Sequence, residues 1–385
     1  MSKSEKGRLD KYCEIVMGQS PSGESYNYEG KGLKLIAGAG DFGEVYPKAK
    51  KYTTEASKIS KYGDIVLGIR ASIGDKVLSD GEYCLGRGVA GLRPLSKLDA
   101  RYLWHWLDHV RPVLSAKAKG ATFKQVNRED ICELEISILQ LEEQKRIAEI
   151  LDRTQSLISK RKEAIAKLDT LTQSIFLEMF GDPVTNQKKW KVINMSECAE
   201  RIQIGPFGTQ LHEEDYIDNG IPLINPTHIK DGKIFPNSAF SISSEKHQEL
   251  SQYNLEVDDV ILGRRGEMGR CAIISENENG WLCGTGSLFI RPKHELLNSF
   301  YLFCVLSSQS IKKYLEKASQ GVTMANLNKT IVSQIPMAIP PLSLQKEFAQ
   351  RVEAVEKLKA THRESLSQLE ALFASLQHRA FRGEL

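Results

Sequence analysis

The chain is written twice, and that duplication constrains its fold more than any other property of its 385 residues. Asp64-Ile65-Val66-Leu67-Gly68-Ile69-Arg70, running on to Gly74, returns 195 residues later as Asp259-Val260-Ile261-Leu262-Gly263-Arg264-Arg265, running on to Gly269. Gly86-Arg87-Gly88 and Leu92-Arg93-Pro94 return as Gly284-Thr285-Gly286 and Ile290-Arg291-Pro292, at an offset of 198. Tyr102-Leu103 returns as Tyr301-Leu302. Gly120-Ala121-Thr122 with Asn127 returns as Gly321-Val322-Thr323 with Asn328, and Leu141 with Gln144-Lys145 as Leu342 with Gln345-Lys346, both at an offset of 201. Five blocks that keep their order with so little drift make each half one structural unit, since a period near 200 residues belongs to a duplicated domain and not to a solenoid. Two half-proteins imply two half-sites.

Within a half the order is an apolar strand, a turn, another strand, a helix, a Gly-Thr loop, a short strand and a long helix. The strands rest on Val- and Ile-rich runs such as 64–69 and 259–262, bounded by Gly and Asp. The long helices rest on period. Over 143–180, Ile147, Ile150, Leu157, Ala164, Leu168, Leu171 and Ile175 form one stripe, widened by Leu151, Ile158, Ile165 and Met179, with no proline to interrupt it. After Pro340-Pro341 the second copy offers Phe348, Val352, Val355, Leu358, Leu366, Leu369, Leu372, Phe373 and Leu376. Each helix is about 50 Å long at 1.5 Å per residue. An apolar seam of that length needs a partner, and the nearest is the other copy. The expectation is an antiparallel pair forming a spacer; the alternative is two separate helices, each packed on its own domain. Arg161 and His362 share one seam position in the two copies, where they either fix the register or reach solvent from a partly open seam. The fold class that follows is α+β: two similar mixed α/β domains, over 1–141 and 183–341, joined by long helices over 142–182 and 342–385 that pair as an antiparallel coiled coil.

Composition removes several function classes. No run approaches the roughly 20 apolar residues of a membrane helix, and the start MSKSEKGRLD lacks the apolar stretch of a secretory signal, so a cytoplasmic protein without membrane contact is expected. The seven cysteines are odd in number, scattered and free of any CxxC pair, which reads as reduced, mostly buried thiols. A formal charge of +3 means that a nucleic-acid surface has to come from local placement of Lys and Arg. Gly38-Ala39-Gly40-Asp41-Phe42-Gly43 matches GxGxxG, yet Glu44-Val45-Tyr46-Pro47 does not open the helix that a dinucleotide loop needs. Asn225-Pro226-Thr227-His228 resembles a base-holding methyltransferase loop but lacks its second proline and stacking aromatic. His105 and His109 have the spacing of helical zinc ligands, but Trp106 stands where a zincin carries glutamate, so an ordinary surface or half-buried helix face is the better reading. With no nucleophile elbow, no phosphate loop and no carboxylate cluster for phosphodiester cleavage, the chain reads as a non-enzyme.

Other segments suit DNA, which takes cations for its phosphates and Arg, Lys, Asn, Gln, Ser or Thr for its base edges, all presented on loops. Near the start of the first half stand Gln19, Ser20 and Ser22; their counterparts are Thr209 and Gln210. Asn225 and His228 make a further binding loop. Arg70 and Ser72 follow the repeated strand, as do Arg264, Arg265 and Glu267 in the second copy. Lys117, Lys119, Thr122 and Lys124 form a basic loop, answered by Ser319, Gln320, Thr323 and Asn326. Any one of these could be ordinary wet surface. Their recurrence at equivalent positions, with changed residues, fits two readers tuned to different bases.

Across nearly the whole chain the pattern resembles the specificity subunits of type I restriction-modification systems. The resemblance rests on Ile221-Pro222-Leu223-Ile224-Asn225 with Ile229-Lys230-Asp231-Gly232, on 259–263 and 321–328, on Ile339-Pro340-Pro341-Leu342 with Gln345, and on the closing Phe381-Arg382-Gly383-Glu384-Leu385. The first half departs from it, with 38–45 in place of a polar stretch and Leu139-Gln140-Leu141 in place of the proline pair. The resemblance implies two target-recognition domains held apart by a helical ruler, each reading one half of an asymmetric, interrupted sequence in double-stranded DNA. It implies no active site and no cofactor on this chain. S-adenosylmethionine, ATP and magnesium would act on its partners, two methyltransferase subunits and the restriction subunits that translocate DNA. The helices' charged outer faces would dock the methyltransferases, so that deleting the second helix abolishes assembly before it abolishes domain folding. The competing readings are a self-contained DNA-modifying enzyme and a coiled-coil adaptor that never touches DNA.

Overall fold

The strands at the centre of each repeat owe their position to a salt bridge written into the duplicated blocks. In the computed structural model, which describes residues 5–120, 124–318 and 326–385, the chain divides into two units, Met1–Ala164 with His362–Leu385, and Ile165–Thr361. The first unit contains a four-stranded antiparallel sheet of β1 (Cys13–Met17), β2 (Ile65–Gly68), β3 (Lys76–Leu78) and β4 (Val89–Pro94), in the order β1-β4-β2-β3. The second contains β5 (Ala199–Ile204), β6 (Val260–Gly263), β7 (Cys271–Ile273) and β8 (Ser287–Pro292), in the order β5-β8-β6-β7. Strand β2 is buried along its whole length, as is β6, which is why both read as unbroken apolar runs. At the head of β2, Arg93 donates twice to Asp64, at 2.8 and 2.7 Å. Arg291 does the same to Asp259, at 2.9 Å for both bonds. The fork matches the carboxylate and locks the register of neighbouring strands.

A second sheet of shorter strands, five in the first unit and four in the second, accompanies each of these. In the first unit Leu33–Ile36 runs parallel to Tyr83–Leu85; in the second, Ile221–Ile224 runs parallel to Leu282–Cys283. Helix α1 (Ala100–Ala116) starts at Asp99, whose side chain accepts from the amides of Arg101 and Tyr102. Its counterpart starts at Asn298, which caps in the same way, but is broken at Ser308 into α3 (Ser299–Ser307) and α4 (Gln309–Ala318). The repeated tyrosines are core residues with one polar handle: Tyr102 donates to the Ser137 carbonyl at 3.1 Å, and Tyr301 to that of Ala338 at 2.9 Å.

The long helices α2 (Leu141–Phe180, 40 residues) and α5 (Leu342–Arg382, 41 residues) are unbroken, each about 60 Å at 1.5 Å per residue. In the first unit Ala148 and Leu151 share a core with Ala380 and Phe381, while further along Arg161 donates to His362 Nδ1 at 2.7 Å, so the segments run antiparallel. The second unit repeats the pattern: Asp169 pairs with Lys359 at 2.8 Å, and Phe176 and Phe180 pack on Phe348 at ring distances of 5.6 and 5.3 Å. Arg161 and His362 therefore meet each other, which decides for a register contact. The seam keeps most of the stripe read from the sequence but leaves out four of its leucines. Buried Gln144, Ile147 and Leu151 set the phase at the start of α2, and three-four spacing then selects Thr154, Ile158, Arg161, Ile165 and Leu168. Leu157 and Leu171, one residue and about 100° away, are 52% and 39% exposed; Leu358 and Leu372 are 47% and 49% exposed.

The C-terminal end of α5 is also part of the first unit's core. Phe381 meets Tyr102 edge-on at 5.3 Å, and Gln377 donates to the His105 carbonyl at 3.2 Å. Deleting this helix would strip that core, so the deletion does not separate docking from folding as the sequence suggested. His105 and His109 are likewise packing residues. His105 is buried with Nε2 2.7 Å from Asp152, and His109 lies on the Phe381 ring at 5.2 Å. Burial pushes the thiols of Cys13 and Cys271 up to about 12, and all seven cysteines are free. Among the described residues no helix is long and apolar enough to cross a membrane.

Candidate functional site

Three blocks far apart in sequence meet at one place in each unit. Strand β2 ends at Gly68 in a turn closed by the Gly68 amide on the Asp75 carbonyl at 2.7 Å; β6 ends at Gly263, whose amide reaches the Arg270 carbonyl at 2.9 Å. The turn passes through left-handed backbone twice, at Ala71 and Gly74 in the first unit (φ 51° and 87°) and at Gly266 and Gly269 in the second (φ 80° and 74°). The Gly-x-Gly block lies alongside, its Gly88 carbonyl accepting from Ile69 and its Gly286 carbonyl from Arg264. On the other side arrives the segment before the repeated asparagine: the Val126 amide donates to the Ile69 carbonyl, and the Leu327 amide to that of Arg264, each at 3.0 Å. Asn127 and Asn328 then cap short helices through the amides of Asp130 and Ile331. This frame places Arg70 and Arg265 at the same point, both exposed, bridged to Gln125 and Asn326.

In the first unit Arg70 and Ser72 line a cleft of about 400 Å³ with Ser20 and Arg87. Its wall is the Gly38–Gly40 turn, so the GxGxxG match is a tight bend beside the cleft and starts no long helix. Arg87 donates to the Ser20 hydroxyl at 3.0 Å. Sequence reasoning passed over Arg87, although its place inside the repeated Gly-x-Gly was the available signal. Gly88 has to be a glycine, because a Cβ there would sit 2.3 Å from the Ala37 carbonyl oxygen. Gln19 and Ser22 are exposed; the Gln19 amide is tied to the Leu85 carbonyl, and the Ser22 carbonyl holds the amide and hydroxyl of Ser25. Lys119 is exposed and pairs through both backbone bonds with Gln125, so the basic loop returns to Arg70. Lys117 is held by Glu133 at 3.1 Å, Lys124 is exposed, and Thr122 lies outside the described residues.

The second unit distributes its residues differently. Arg265 and Thr209 are exposed. Arg264 is half-buried, its guanidinium donating to the carbonyls of Leu327 at 2.7 Å and Thr285 at 3.4 Å; burial and the neighbouring Arg265 charge hold its pKa below the usual arginine value. It ties the frame together and does not project from it. Glu267 is held below the usual carboxylate range by Lys312 at 3.0 Å and Arg270 at 3.4 Å. Gln210 accepts the Tyr253 hydroxyl at 2.8 Å. Asn225 accepts from the Gly286 amide at 3.3 Å, the bond that the Ala37 carbonyl makes to Gly88 in the first unit. His228 is 5% exposed, with Nδ1 at 3.1 Å from the Leu223 carbonyl and its ring against Phe240; burial lowers its pKa. The binding loop read at 225–228 is thus a brace for the Gly-x-Gly turn. Asn326 sits beside Arg265, while Ser319, Gln320 and Thr323 lie outside the described residues.

The arrangement supplies exposed guanidiniums on a rigid frame, Arg70 and Arg87 in the first unit and Arg265 in the second, with hydroxyls beside the first pair. That chemistry serves recognition of phosphates and base edges. Among the described residues no three His, Cys, Asp or Glu side chains are placed to hold a metal ion.

A family model described as the type I restriction modification DNA specificity domain matches residues 1–168 and 187–371. The putative MjaX specificity subunit of Methanocaldococcus jannaschii is 35% identical over 172 residues, which are 44% of this chain and 40% of that protein. The EcoBI specificity subunit of Escherichia coli is 23% identical over 315 residues, 75% of this chain and 66% of that one. The chain thus matches less than half the length of the first relative and about two thirds of the second. A chain from a solved structure concerned with complex assembly and conformational transition of the type I system superposes with a TM-score of 0.68 at 19% identity, covering 99% of this chain and 98% of that one. The S subunit from M. genitalium gives 0.58 at 18%, covering 99% and 96%. These two likenesses establish the fold.

Proposed function

The chain belongs to the family of the type I restriction modification DNA specificity domain, and on that premise we propose that it reads a bipartite, asymmetric site in double-stranded DNA, one half with each unit. The observation that carries this reading is the pair of matching turns: the same backbone frame presents Arg70 in one unit and Arg265 in the other, with different neighbours around each. A frame used twice with altered surroundings suits two readers of two sequences. Arg70, Arg87, Ser20 and Ser72 would form the first reading cleft. Arg265 and Thr209 would contact DNA in the second unit, with Arg264, Asn225, His228 and Gln210 supporting them from within. Lys119 and Lys124 suit phosphates, since exposed lysines act there as point charges.

In this reading the chain has no catalytic role of its own. Methyl transfer from S-adenosylmethionine and ATP- and magnesium-dependent translocation belong to partner modification and restriction subunits. The unbroken helices α2 and α5 serve as the spacer and as the docking surface. The exposed leucines 157, 171, 358 and 372 support the docking role, because apolar side chains at heptad spacing on a wet helix face suit a protein partner. The test is co-expression of the full chain with its modification subunit in an unmethylated host, followed by genome-wide mapping of N6-methyladenine. A two-part motif with a fixed gap is the expected outcome; a soluble complex that leaves no motif would refute DNA reading and favour an adaptor.

A further inference from the structure

Beneath each turn lies a cleft that the sequence comparison of the two copies did not expose. It measures about 280 Å³ in the first unit, between the Gly74–Lys76 segment and α1, and about 440 Å³ in the second, between Gly269–Cys271 and the helices α3 and α4. In both, one long cationic side chain crosses the last glycine of the turn. A Cβ on Gly74 would lie 2.5 Å from Arg111 Cγ, and a Cβ on Gly269 would lie 2.6 Å from Lys312 Cγ. Arg111 and Lys312 are 201 residues apart, the offset of the last repeated blocks. Each cation ends on a carboxylate of the turn it crosses: Arg111 on Asp75 at 2.6 Å, Lys312 on Glu267 at 3.0 Å.

We infer that these pairs, Arg111 with Asp75 and Lys312 with Glu267, are positioning residues that aim the exposed Arg70 and Arg265. The inference rests on the reading of those arginines as DNA contacts. The backbone bonds fix where each arginine leaves its strand, and the pairs fix the turn that follows it. Each arginine leaves the end of its strand, where Ile69 and Arg264 are bonded to the Gly-x-Gly block, and the turn beyond it passes through two left-handed residues against the helix behind it. The floor of the first cleft is firm: Lys76 is 6% exposed, pairs with Asp108 and stands 4.4 Å from the centre of the Trp104 ring. In the second unit Arg270 takes up that duty, donating to the Pro226 carbonyl at 3.1 Å and to Glu267 at 3.4 Å. The carboxylates have changed place between copies. Asp75 sits at the foot of the first turn, whereas Glu267 occupies the position equivalent to Ser72, nearer the arginine. The second brace therefore holds the middle of its turn and the first its end, so one frame is braced in two ways. A cation–carboxylate pair that is partly exposed adds little to stability, but it can select one geometry for a surface turn.

The test compares methylation motifs written by the full chain, assembled with its modification subunits, in five versions: Arg70→Ala, Arg265→Ala, Lys312→Met, Glu267→Gln, and the reversed pair Glu267→Lys with Lys312→Glu. Lys312→Met keeps the stem over Gly269 and removes only the charge. The expected result is that Arg265→Ala and Lys312→Met relax the same positions of the second half-site, by roughly ten-fold or more in discrimination. The first half-site is read as before, and the reversed pair recovers part of the loss. If Arg265→Ala relaxes that half-site while Lys312→Met and Glu267→Gln leave it unchanged, the positioning role is overturned and the recognition reading stands. If neither Arg265→Ala nor Arg70→Ala alters the motif, the recognition reading itself is overturned. Should Lys312→Met fail to assemble, Glu267→Gln supplies the same comparison from the other side of the pair.

Discussion

Replacing Gln345 by leucine tests whether the duplicated glutamines are joints of the fold. Gln345 is fully buried at the start of α5, and its amide is saturated. Its Oε1 accepts the Asn298 amide at 2.9 Å, and its Nε2 donates to the carbonyls of Leu296 at 3.0 Å and Pro340 at 2.8 Å. Asn298 caps α3, and Pro340 ends the strand that leads into α5, so one side chain splices three elements. Leucine fills nearly the same volume and leaves one N–H and two C=O groups without partners. An orphaned buried donor or acceptor costs about 1–3 kcal/mol. Carbonyls keep a second lone pair, so about 1 kcal/mol for each of them and about 2 for the amide gives a total near 4 kcal/mol. With a urea m-value of about 2–3 kcal/mol/M, the transition of the second unit should move down by roughly 1.5 M. Because two units within one chain need not unfold as a single step, hydrogen exchange at increasing urea is the appropriate assay, read on peptides covering 296–307 and 336–348. A midpoint shift below about 0.4 M would refute the reasoning, because the partners would then have found substitutes. Gln144 makes the equivalent bonds to Asp99, Lys97 and Leu139, so Gln144→Leu should act alike on peptides 97–107.

Arg291→Met leaves the fully buried Asp259 without its fork and should cost about 3–5 kcal/mol, measured as a lowered thermal midpoint; loss of less than 1 kcal/mol would show that the pair is dispensable. His109 has its pKa lowered from 6.5 by burial first, then by His378 and Arg382. The folded state thus prefers the neutral ring, and the stability this lends is complete above about pH 6.5 and declines as pH falls through the folded value. Melting curves from pH 8 to pH 5 should slope downward for the wild type and less so for His109→Phe; equal slopes would exclude this histidine as the source. Leu358→Glu, at an exposed position of α5, should leave the melting curve within about 1 °C and weaken capture of the modification subunit in a pull-down; unchanged capture would remove this face from the docking surface.

The fold was legible where the two copies agree. The paired strands, the capping asparagines and the long helices all appear where duplicated blocks or an apolar period placed them. A count of apolar residues puts leucines 157, 171, 358 and 372 on the helix seam, although each lies one residue off it. The phase is set instead by Gln144, a polar side chain buried by its hydrogen bonds. The candidate site was legible as a set of loops but not as a set of roles. Arg264 and Arg265 are neighbours of one type, yet one binds carbonyls inside and the other faces solvent, which follows from strand alternation at a chain reversal that no sequence pattern marks. His228 and Gln210 looked like polar loop residues because the carbonyl and hydroxyl that engage them lie elsewhere in the sequence, at Leu223 and Tyr253.

On the proposed reading, the two copies sort their residues by what a duplicated DNA reader can and cannot change. Asp64 and Asp259, Arg93 and Arg291, Gln144 and Gln345, Gly68 and Gly263, and Gly74 and Gly269 are identical, and each is a group whose loss would leave a buried charge, an orphaned amide or a steric clash. These positions define the frame and have no freedom to follow a change of target. The residues that differ stand on that frame: Arg87 against Thr285, Ser72 against Glu267, Gln125 against Asn326, all beside the shared arginine. A new sequence preference therefore needs only substitutions at the rim, and their stability cost is small because rim side chains are exposed or half-exposed. Asn225, like Arg264, couples rim and frame. Its side chain supplies to Gly286 the bond that the backbone of Ala37 supplies to Gly88, so the second turn depends on a side chain where the first depends on none. Asn225→Ala should accordingly disturb reading by the second unit, while no single side-chain truncation at Ala37 can do the same in the first.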